Sequence, residues 1–216
     1  TRIPLDRTTV TLNEQDVTSL FRPVQGTRSL LGLLTDLRTG NNTVTVTEQG
    51  GTETSSLVLT NWPIEGPIFS GPHEKPYICM THLFDLPVTD ENLGPALDEN
   101  CSIATRVDYI YRTIANEFKP LPDPAMRPAN LARTKTNEGH DVAYIVRVET
   151  GTVNRAIYQF SMLHDPMTDG PVDPWNRQAG WNGRLIYTFG GGCPGGWYIQ
   201  GRRTGGVLDD HMLSQG

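Results

Sequence analysis

Proline is concentrated in two stretches of this chain, and those stretches limit what the chain can fold into. Residues 62–76 contain four prolines and two glycines, and Lys119–Pro128 contains four more prolines. Proline lacks a backbone N–H group and is excluded from helix interiors and central strands. We therefore expect an extended loop at Lys119–Pro128 and a linker at residues 66–76 that lies against the region following it.

The region before the first proline-rich stretch has the pattern of β-structure. Apolar and polar residues alternate in Thr8–Leu12, Asn42–Glu48 and Ser55–Asn61, as they do in half-buried strands. Leu30–Leu34 is short and contains a glycine, so we expect a buried strand or an irregular segment there. Together these patterns predict an immunoglobulin-like β-module over residues 1–65.

The region after the linker combines strand patterns with loops. Ala104–Thr113 fits both a strand and a helix period, and its β-branched and aromatic residues favour a strand. Val142–Glu149 and Ala156–Leu163 are joined by the short connection Thr150–Asn154, which predicts an antiparallel hairpin. We also predict an apolar strand at Leu185–Phe189 and a helix at Gly206–Gln215.

Charge and hydropathy argue against two kinds of partner. The net charge is −6 at pH 7 and no run of lysine and arginine occurs, so the electrostatic footprint of a nucleic-acid-binding protein is missing. The longest uncharged stretch, Leu185–Gln200, contains five glycines and a proline and is too broken to cross a bilayer as a helix. We expect no nucleic-acid partner and no membrane span.

The start of the chain and its composition are typical of a processed, exported protein. The chain opens on Thr1, without a methionine and without the apolar core of a signal peptide. Lysine is scarce, whereas threonine, asparagine, glycine and proline are abundant. We therefore expect the mature form of a secreted or periplasmic protein.

Three cysteines allow one intramolecular disulfide and leave one residue over. Cys79 and Cys101 are separated by 22 positions in a loop-rich region, a spacing at which a disulfide contributes roughly 3 kcal/mol. Two buried free thiols are the alternative. Cys193 would then need a partner in polypeptide outside this chain. The histidines lack the Cys/His spacing of a zinc site, so we predict no metal and no cofactor.

A run of glycines after the pattern at Leu185–Phe189 is the strongest candidate for a chemical site. Gly190–Gly192 can adopt backbone conformations that side chains forbid, and they leave N–H groups free to point into a cavity. In α/β-hydrolases a glycine loop of this kind holds the oxyanion of the reaction. We predict that the backbone N–H groups of Gly191, Gly192 and Cys193 are oxyanion donors. A tight structural turn and a phosphate loop are the alternatives, although the run does not match Gly-x-Gly-x-x-Gly.

The residues around this run resemble a known family. The tetrapeptide Trp-Asn-Gly-Arg at Trp181–Arg184 and the triple glycine after it resemble a segment of the tannase and feruloyl-esterase family of secreted α/β-hydrolases. The resemblance covers the C-terminal end of the chain. It implies a serine esterase whose catalytic Ser, Asp and His come later in the polypeptide. Cys193 departs from the commoner pattern of that family's loop.

The expected fold class is therefore mixed. An all-β immunoglobulin-like module at residues 1–65 and a Pro/Gly-rich linker at 66–76 precede the N-terminal part of an α/β-hydrolase domain at 77–216. That part would contain the first strands, the oxyanion loop and the first helix. A hairpin, a third strand, the glycine run and a helix follow one another in the order that this fold requires.

A nucleophile is not found among the 216 residues. No Gly-x-Ser-x-Gly sequence is present, and Ser70 lies in a Pro/Gly-rich loop without the strand-turn-helix context of a nucleophile. His211 lies on the predicted helix, whereas the catalytic histidine of this fold follows the serine. We expect Ser, Asp and His to lie beyond Gly216, in the remainder of the polypeptide or in a second chain.

Four residues that flank the glycine run are candidates for contacts with a substrate. Trp197 and Tyr198 offer flat rings, while Arg202 and Arg203 offer guanidinium groups that bind carboxylates. Packing of the loop is the alternative role for each.

The predicted function is that of a secreted serine hydrolase that cleaves a small-molecule or polymeric carboxylic ester. Two other functions remain open. A non-catalytic, β-rich binding module would have a glycine run plugged by side chains, with no cavity beside it. The first chain of a proteolytically processed amide hydrolase would have a companion chain that begins with Ser, Thr or Cys.

Overall fold

The computed structural model of the chain describes residues 5–68, 71–172, 175–188, 198–202 and 205–216. The chain forms two compact units, Thr1–Pro63 and Ile64–Gly216. Their boundary lies just before the segment in which the sequence predicts a linker.

The described part of the first unit contains six strands. Four of them form an antiparallel sheet in the order β2-β1-β5-β6, and the other two pair as a separate ribbon, β3-β4. The strands are β1 (Thr8–Leu12), β2 (Gln15–Asp16), β3 (Phe21–Pro23), β4 (Leu30–Gly32), β5 (Gly40–Glu48) and β6 (Thr54–Asn61).

The three alternating patterns of the first unit are strands in the structure, and Leu30–Leu34 differs from its prediction. Its strand β4 stops at Gly32, and residues 33–34 are irregular. The side chains of Leu31 and Leu33 are exposed, so the expectation of a buried strand is wrong. Among the described residues β4 pairs only with β3, and neither Leu31 nor Leu33 belongs to an apolar cluster. The immunoglobulin-like assignment itself stays a prediction.

The second unit contains a four-stranded antiparallel sheet in the order β12-β11-β7-β8 and a separate antiparallel pair, β9-β10. Its helix α1 is short and lies near the end of the chain. The elements are β7 (Arg106–Arg112), β8 (Phe118–Pro120), β9 (Arg133–Lys135), β10 (Asp141–Ala143), β11 (Ile145–Val153), β12 (Ala156–Leu163) and α1 (Asp210–Ser214).

Strands β11 and β12 form the predicted hairpin, with its turn in a different place. The sequence predicts a connection that includes Gly151, but β11 continues to Val153 and the turn consists of Asn154 and Arg155. Their φ angles are +47° and +67°, and a two-residue hairpin turn of the common primed type has positive φ at both positions. Gly151 lies inside the strand, where the ring of Tyr158 occupies the space that a Cβ would need.

Alternate residues of β11 face two apolar cores. Val146 and Val148 are fully buried and pack with Ile110 and Leu213, so α1 lies over this face of the sheet. Ile145 points to the other face and joins a second cluster. Burying a valine side chain contributes about 1.5–3 kcal/mol, so these central strands hold the second unit together.

The C-terminal helix is shorter than predicted. The backbone of Asp209 is extended, so a helix cannot run through it from Gly206, and its side chain instead caps α1 by accepting a hydrogen bond from the Met212 N–H. Gly216 follows the helix with a φ of +93°, a conformation that suits a terminating glycine.

The predicted strand at Leu185–Phe189 also differs from the structure. Its described part, residues 185–188, runs without a turn or bend but belongs to no strand. The side chains of Leu185 and Ile186 are 87% and 57% exposed, and no described strand pairs with this segment.

The described residues form mostly small antiparallel sheets with one short α-helix. An α/β-hydrolase domain at residues 77–216 therefore stays a prediction. No helix within these residues is long and apolar enough to span a membrane.

Candidate functional site

The glycine run itself lies outside the described residues. This applies to all three predicted oxyanion donors, Gly191, Gly192 and Cys193, and to Trp197. The described segments on either side of it end at Thr188 and begin at Tyr198. Ser70 and Arg203 also lie outside it.

On the N-terminal side, the Trp-Asn-Gly-Arg tetrapeptide closes a turn on itself. The indole Nε1 of Trp181 donates to the Arg184 carbonyl at 2.9 Å, and the Arg184 N–H donates to Asn182 Oδ1 at 3.0 Å. Gly183 has a φ of +79°, which few side chains tolerate. The tetrapeptide therefore fixes the direction in which the chain enters the exposed segment at residues 185–188.

That segment is also held at its far end. Gly205 packs so closely against Thr188 that an added Cβ would overlap the Thr188 Oγ1 atom. The chain therefore returns to Thr188 after the glycine run. Glycine is required at position 205 by this close approach.

On the C-terminal side, the chain joins the rest of the unit through Ile78. The Ile78 N–H donates to the Tyr198 carbonyl at 2.8 Å, and the Gln200 N–H donates to the Ile78 carbonyl at 2.9 Å. These bonds form a parallel bridge between Ile78 and Ile199. The Tyr198 side chain is 62% exposed and Arg202 is exposed, so both predicted contact residues are open to a ligand.

Gln200 anchors this segment through its side chain as well as its backbone. Gln200 as a whole is 2% exposed. Oε1 accepts from the Met80 N–H at 2.9 Å, while Nε2 donates to the carbonyls of Cys101 at 3.2 Å and Arg155 at 3.1 Å. One side chain therefore joins three separate segments of the chain.

The disulfide between Cys79 and Cys101 is present, as predicted. Cys79 directly follows Ile78, and Cys101 supplies one of the carbonyls that Gln200 binds. Cys101 is fully buried. The disulfide therefore joins two of the segments that hold Tyr198 to Gln200 in place.

The turn residue Asn154 holds the proline-rich segment that opens the second unit. Its N–H donates to the Ile64 carbonyl at 2.7 Å, and its Oδ1 accepts from the Ile68 N–H at 3.2 Å. His73 Nε2 lies 2.9 Å from the same Oδ1 atom. Gly66 lies so close to this group that an added Cβ would overlap Asn154.

The neighbouring turn residue, Arg155, is a buried cation. Its side chain donates to the Glu74 carbonyl at 2.8 Å and to Asn100 Oδ1 at 3.3 Å, which are both neutral acceptors. The guanidinium carbon lies 4.6 Å from the centre of the Tyr77 ring, a cation–π contact. Burial raises the pKa of Tyr77, and the positive charge of Arg155 opposes that rise. Arg155 is thus a structural cation that draws several loops together.

The one buried histidine of the described region, His164, is not a free catalytic base. His164 is 3% exposed, its Nε2 lies 2.9 Å from the Gly170 carbonyl, and its Nδ1 lies 3.1 Å from the Tyr109 hydroxyl. A carbonyl oxygen only accepts, so Nε2 carries a proton, and in the neutral ring Nδ1 accepts from Tyr109. Both ring nitrogens are therefore engaged. His211 is exposed on α1.

A cleft of about 250 Å³ lies beside His164. Leu163 and Gly180 contribute to its lining, and Asp165, which pairs with Arg127, lies at its wall. No group of three or more metal-ligating side chains occurs in the part of the chain that the structure describes.

Sequence reasoning placed Asn154 in the hairpin connection, where asparagine is a turn signal, but missed its contacts with the proline-rich segment. It missed Arg155 and Gln200 altogether. Nothing local marks Arg155 or Gln200, because their partners are distant in sequence. Met80 and Gln200, for example, are separated by 120 positions.

Comparison with known proteins places the chain in a family. No curated protein and no solved structure matches it. The sequence model of a tannase-like family of unknown function (DUF6351) matches residues 2–216, which confirms the tannase-like resemblance found at the C-terminal end. The chain therefore belongs to this tannase-like family.

Proposed function

We propose that this chain is part of an esterase-type hydrolase that cleaves carboxylic esters. The observation that carries the proposal is the match to a tannase-like family over residues 2–216. The glycine run at Gly190–Gly192 supports it, because consecutive glycines leave backbone N–H groups able to bind an oxyanion.

In this proposal the N–H groups of Gly191, Gly192 and Cys193 stabilise the tetrahedral intermediate. Oxyanion donors are effective when they are held in place before the reaction, because no reorganisation is then needed in the transition state. Anchoring on both sides of the run supports such a role: Gly205 packs against Thr188, and Ile78 pairs with the segment from Tyr198 to Gln200.

The nucleophile and its base are supplied by polypeptide beyond Gly216 or by a second chain. Two observations support this part of the proposal. The 216 residues contain no Gly-x-Ser-x-Gly sequence, and both ring nitrogens of His164 are engaged. Large exposed aliphatic side chains at Leu185 and Ile186 provide an apolar surface that such polypeptide would cover.

The substrate contacts come from the residues after the glycine run. Tyr198 and Arg202 are exposed, and an aromatic ring beside a guanidinium group suits an ester that has a flat or anionic part. Trp197 has the same role in the proposal. The Cys79–Cys101 disulfide supports a secreted or periplasmic location, because such bonds persist in oxidising compartments.

Ester hydrolysis by the longest natural polypeptide that contains this chain tests the proposal. The assay measures release of p-nitrophenol from p-nitrophenyl butyrate. A matched pair of variants, Gly192→Pro and Gly192→Ala, separates the loss of an N–H group from the addition of a side chain. Removing one oxyanion donor lowers kcat about 10²–10³-fold, so the proline variant should lose that much more than the alanine variant. Equal activities of the two variants would refute the oxyanion role.

A non-catalytic binding module is the second candidate, and one surface favours it. On the β11–β12 hairpin the rings of Tyr158 and Phe160 stack with centres 6.0 Å apart. Phe160 and Val107 lie on either side of Glu149 in the sheet, and both are more than 40% exposed. Retention of the protein on an insoluble polysaccharide, lost on Phe160→Ser and without any ester hydrolysis, would favour this function over the first.

A further inference from the structure

The side-chain carboxamide of Gln200 makes three hydrogen bonds. Both protons of Nε2 are donated, one to the Cys101 carbonyl and one to the Arg155 carbonyl, and Oε1 accepts from the Met80 N–H. The three partners lie 45 to 120 positions away in sequence. A buried polar group whose bonds are all made fixes one geometry, because any shift breaks several bonds together.

The backbone on either side of Ile199 repeats that restraint. Gln200 donates to the Ile78 carbonyl, and the Tyr198 carbonyl accepts from the Ile78 N–H. Tyr198 is thus held through its carbonyl while its side chain is 62% exposed. The buried Gln200 therefore restrains the backbone two residues away from the exposed Tyr198 ring.

An apolar side chain of the same size would fill this site, but it would remove the partner of the Met80 N–H and of the Cys101 and Arg155 carbonyls. Burying a carboxamide is unfavourable unless its hydrogen bonds are made, so its net contribution to stability is small. What the carboxamide adds is a defined position. Arg155 supports that position in two ways. Its carbonyl accepts a hydrogen bond from Gln200 Nε2, and its guanidinium donates to the Glu74 carbonyl and to Asn100 Oδ1.

We infer that Gln200 is a positioning residue that acts through Tyr198, holding the exposed ring where the ester binds. This inference rests on the proposed function. Gln200 does not touch the substrate; Tyr198 does. A shift of about 1 Å in a positioned group can lower the rate on the order of a hundredfold, so the loss of the anchor should be visible in kinetics.

A double-mutant cycle in the longest natural polypeptide tests the inference. The variants are Gln200→Met, Tyr198→Ala and the two combined, and the measured quantity is kcat/KM for p-nitrophenyl butyrate. Gln200→Met keeps the volume and removes the three bonds. We expect each single variant to lower kcat/KM roughly tenfold and the double variant to lower it no further, since groups that act as one unit are not additive.

A matched control separates positioning from general loss of stability. Tyr144→Phe removes a hydrogen bond to Asp210 in the same unit without touching Gln200 or its partners. At a temperature where both proteins are folded, Tyr144→Phe should leave kcat/KM within about twofold of wild type. If the losses from Gln200→Met and Tyr198→Ala multiply in the double variant, Gln200 does not act through Tyr198 and the inference is wrong.

Hydrogen exchange of the Gln200 amide gives a readout that does not depend on activity. The backbone N–H of residue 200 donates to the Ile78 carbonyl. Gln200→Met should increase the exchange rate of this backbone N–H at least about tenfold, and Tyr144→Phe should not. Unchanged exchange would overturn the inference. If the wild-type protein hydrolyses no ester, the proposed function fails, and the exchange measurement still decides whether Gln200 positions the segment.

Discussion

Removing the Cys79–Cys101 disulfide should destabilise the unit that carries the candidate site by a calculable amount. The bond closes a loop of 22 positions. In the chain-entropy relation this loop restricts the unfolded chain by about 11 cal/mol/K, or about 3.4 kcal/mol at 25 °C. For a unit of this size each kcal/mol shifts Tm by about 2–4 °C, so the double variant Cys79→Ala/Cys101→Ala should unfold about 7–14 °C lower.

Differential scanning calorimetry measures that shift. All proteins in the comparison should carry Cys193→Ser, so that the third cysteine cannot form a new bond when its neighbours are removed. The Cys193→Ser protein alone is the reference. The unfolding transition of the Ile64–Gly216 unit should move, because the disulfide lies within that unit. A shift below about 3 °C would refute the loop-closure reasoning, since it corresponds to only about 1 kcal/mol.

Two further predictions concern the sheet of the second unit. Burial, and then its hydrogen bond to Asp210, raise the pKa of Tyr144. A raised pKa in the folded protein contributes stability that is complete below the pKa of tyrosine in the unfolded chain, about 10, and is lost as the pH rises above it. Tyr144→Phe should therefore reduce the dependence of stability on pH above about pH 10, as measured by urea denaturation. Below that pH the same variant should be less stable by about 1–2 kcal/mol, and equal alkaline slopes would contradict the assignment. Gly151→Ala places a Cβ 2.6 Å from the Tyr158 Cζ atom and should lower the free energy of unfolding by about 1–3 kcal/mol. In a Tyr158→Ala background the same substitution should be tolerated. Urea denaturation measures both effects, and equal losses of stability in the two backgrounds would contradict the prediction.

The strands that local pattern specifies were predictable from sequence. The alternating residues of Thr8–Leu12 form β1 with those bounds, and Ala156–Leu163 forms β12. Threonine, valine, isoleucine and aromatic residues are frequent in these two segments. Such residues favour strands through local preference alone, so no distant contact is needed to recognise them.

Elements that depend on distant contacts were not predictable in detail. Gly151 looks like a turn residue in sequence, but the Tyr158 ring lies over it and keeps it in the strand. Leu185–Phe189 has the apolar composition of a strand, but a strand also needs a neighbour, and no described strand pairs with residues 185–188. The predicted start of α1 is too early, because a helix that begins at Gly206 includes Asp209 in its first turn, whereas Asp209 is the N-cap.

The candidate site likewise has some features that sequence predicts and others that depend on distant contacts. The disulfide could be predicted from spacing and context, and the structure contains it. The anchoring roles of Arg155 and Gln200 could not, because each depends on carbonyls that only the folded chain brings together. The roles of Gly191, Gly192 and Cys193 stay predictions, because these residues lie outside the described part of the chain.

Labelling with a fluorophosphonate probe tests the central claim most directly. Such a probe bonds covalently to an activated serine, and mass spectrometry of the digested protein identifies the residue. Applied to the longest natural polypeptide that contains this chain, or to its complex with a companion chain, the probe should label one serine outside residues 1–216, and Gly192→Pro should slow the labelling much more than Gly192→Ala. A labelled residue inside residues 1–216, or a folded protein that is neither labelled nor able to hydrolyse an ester, would contradict the account.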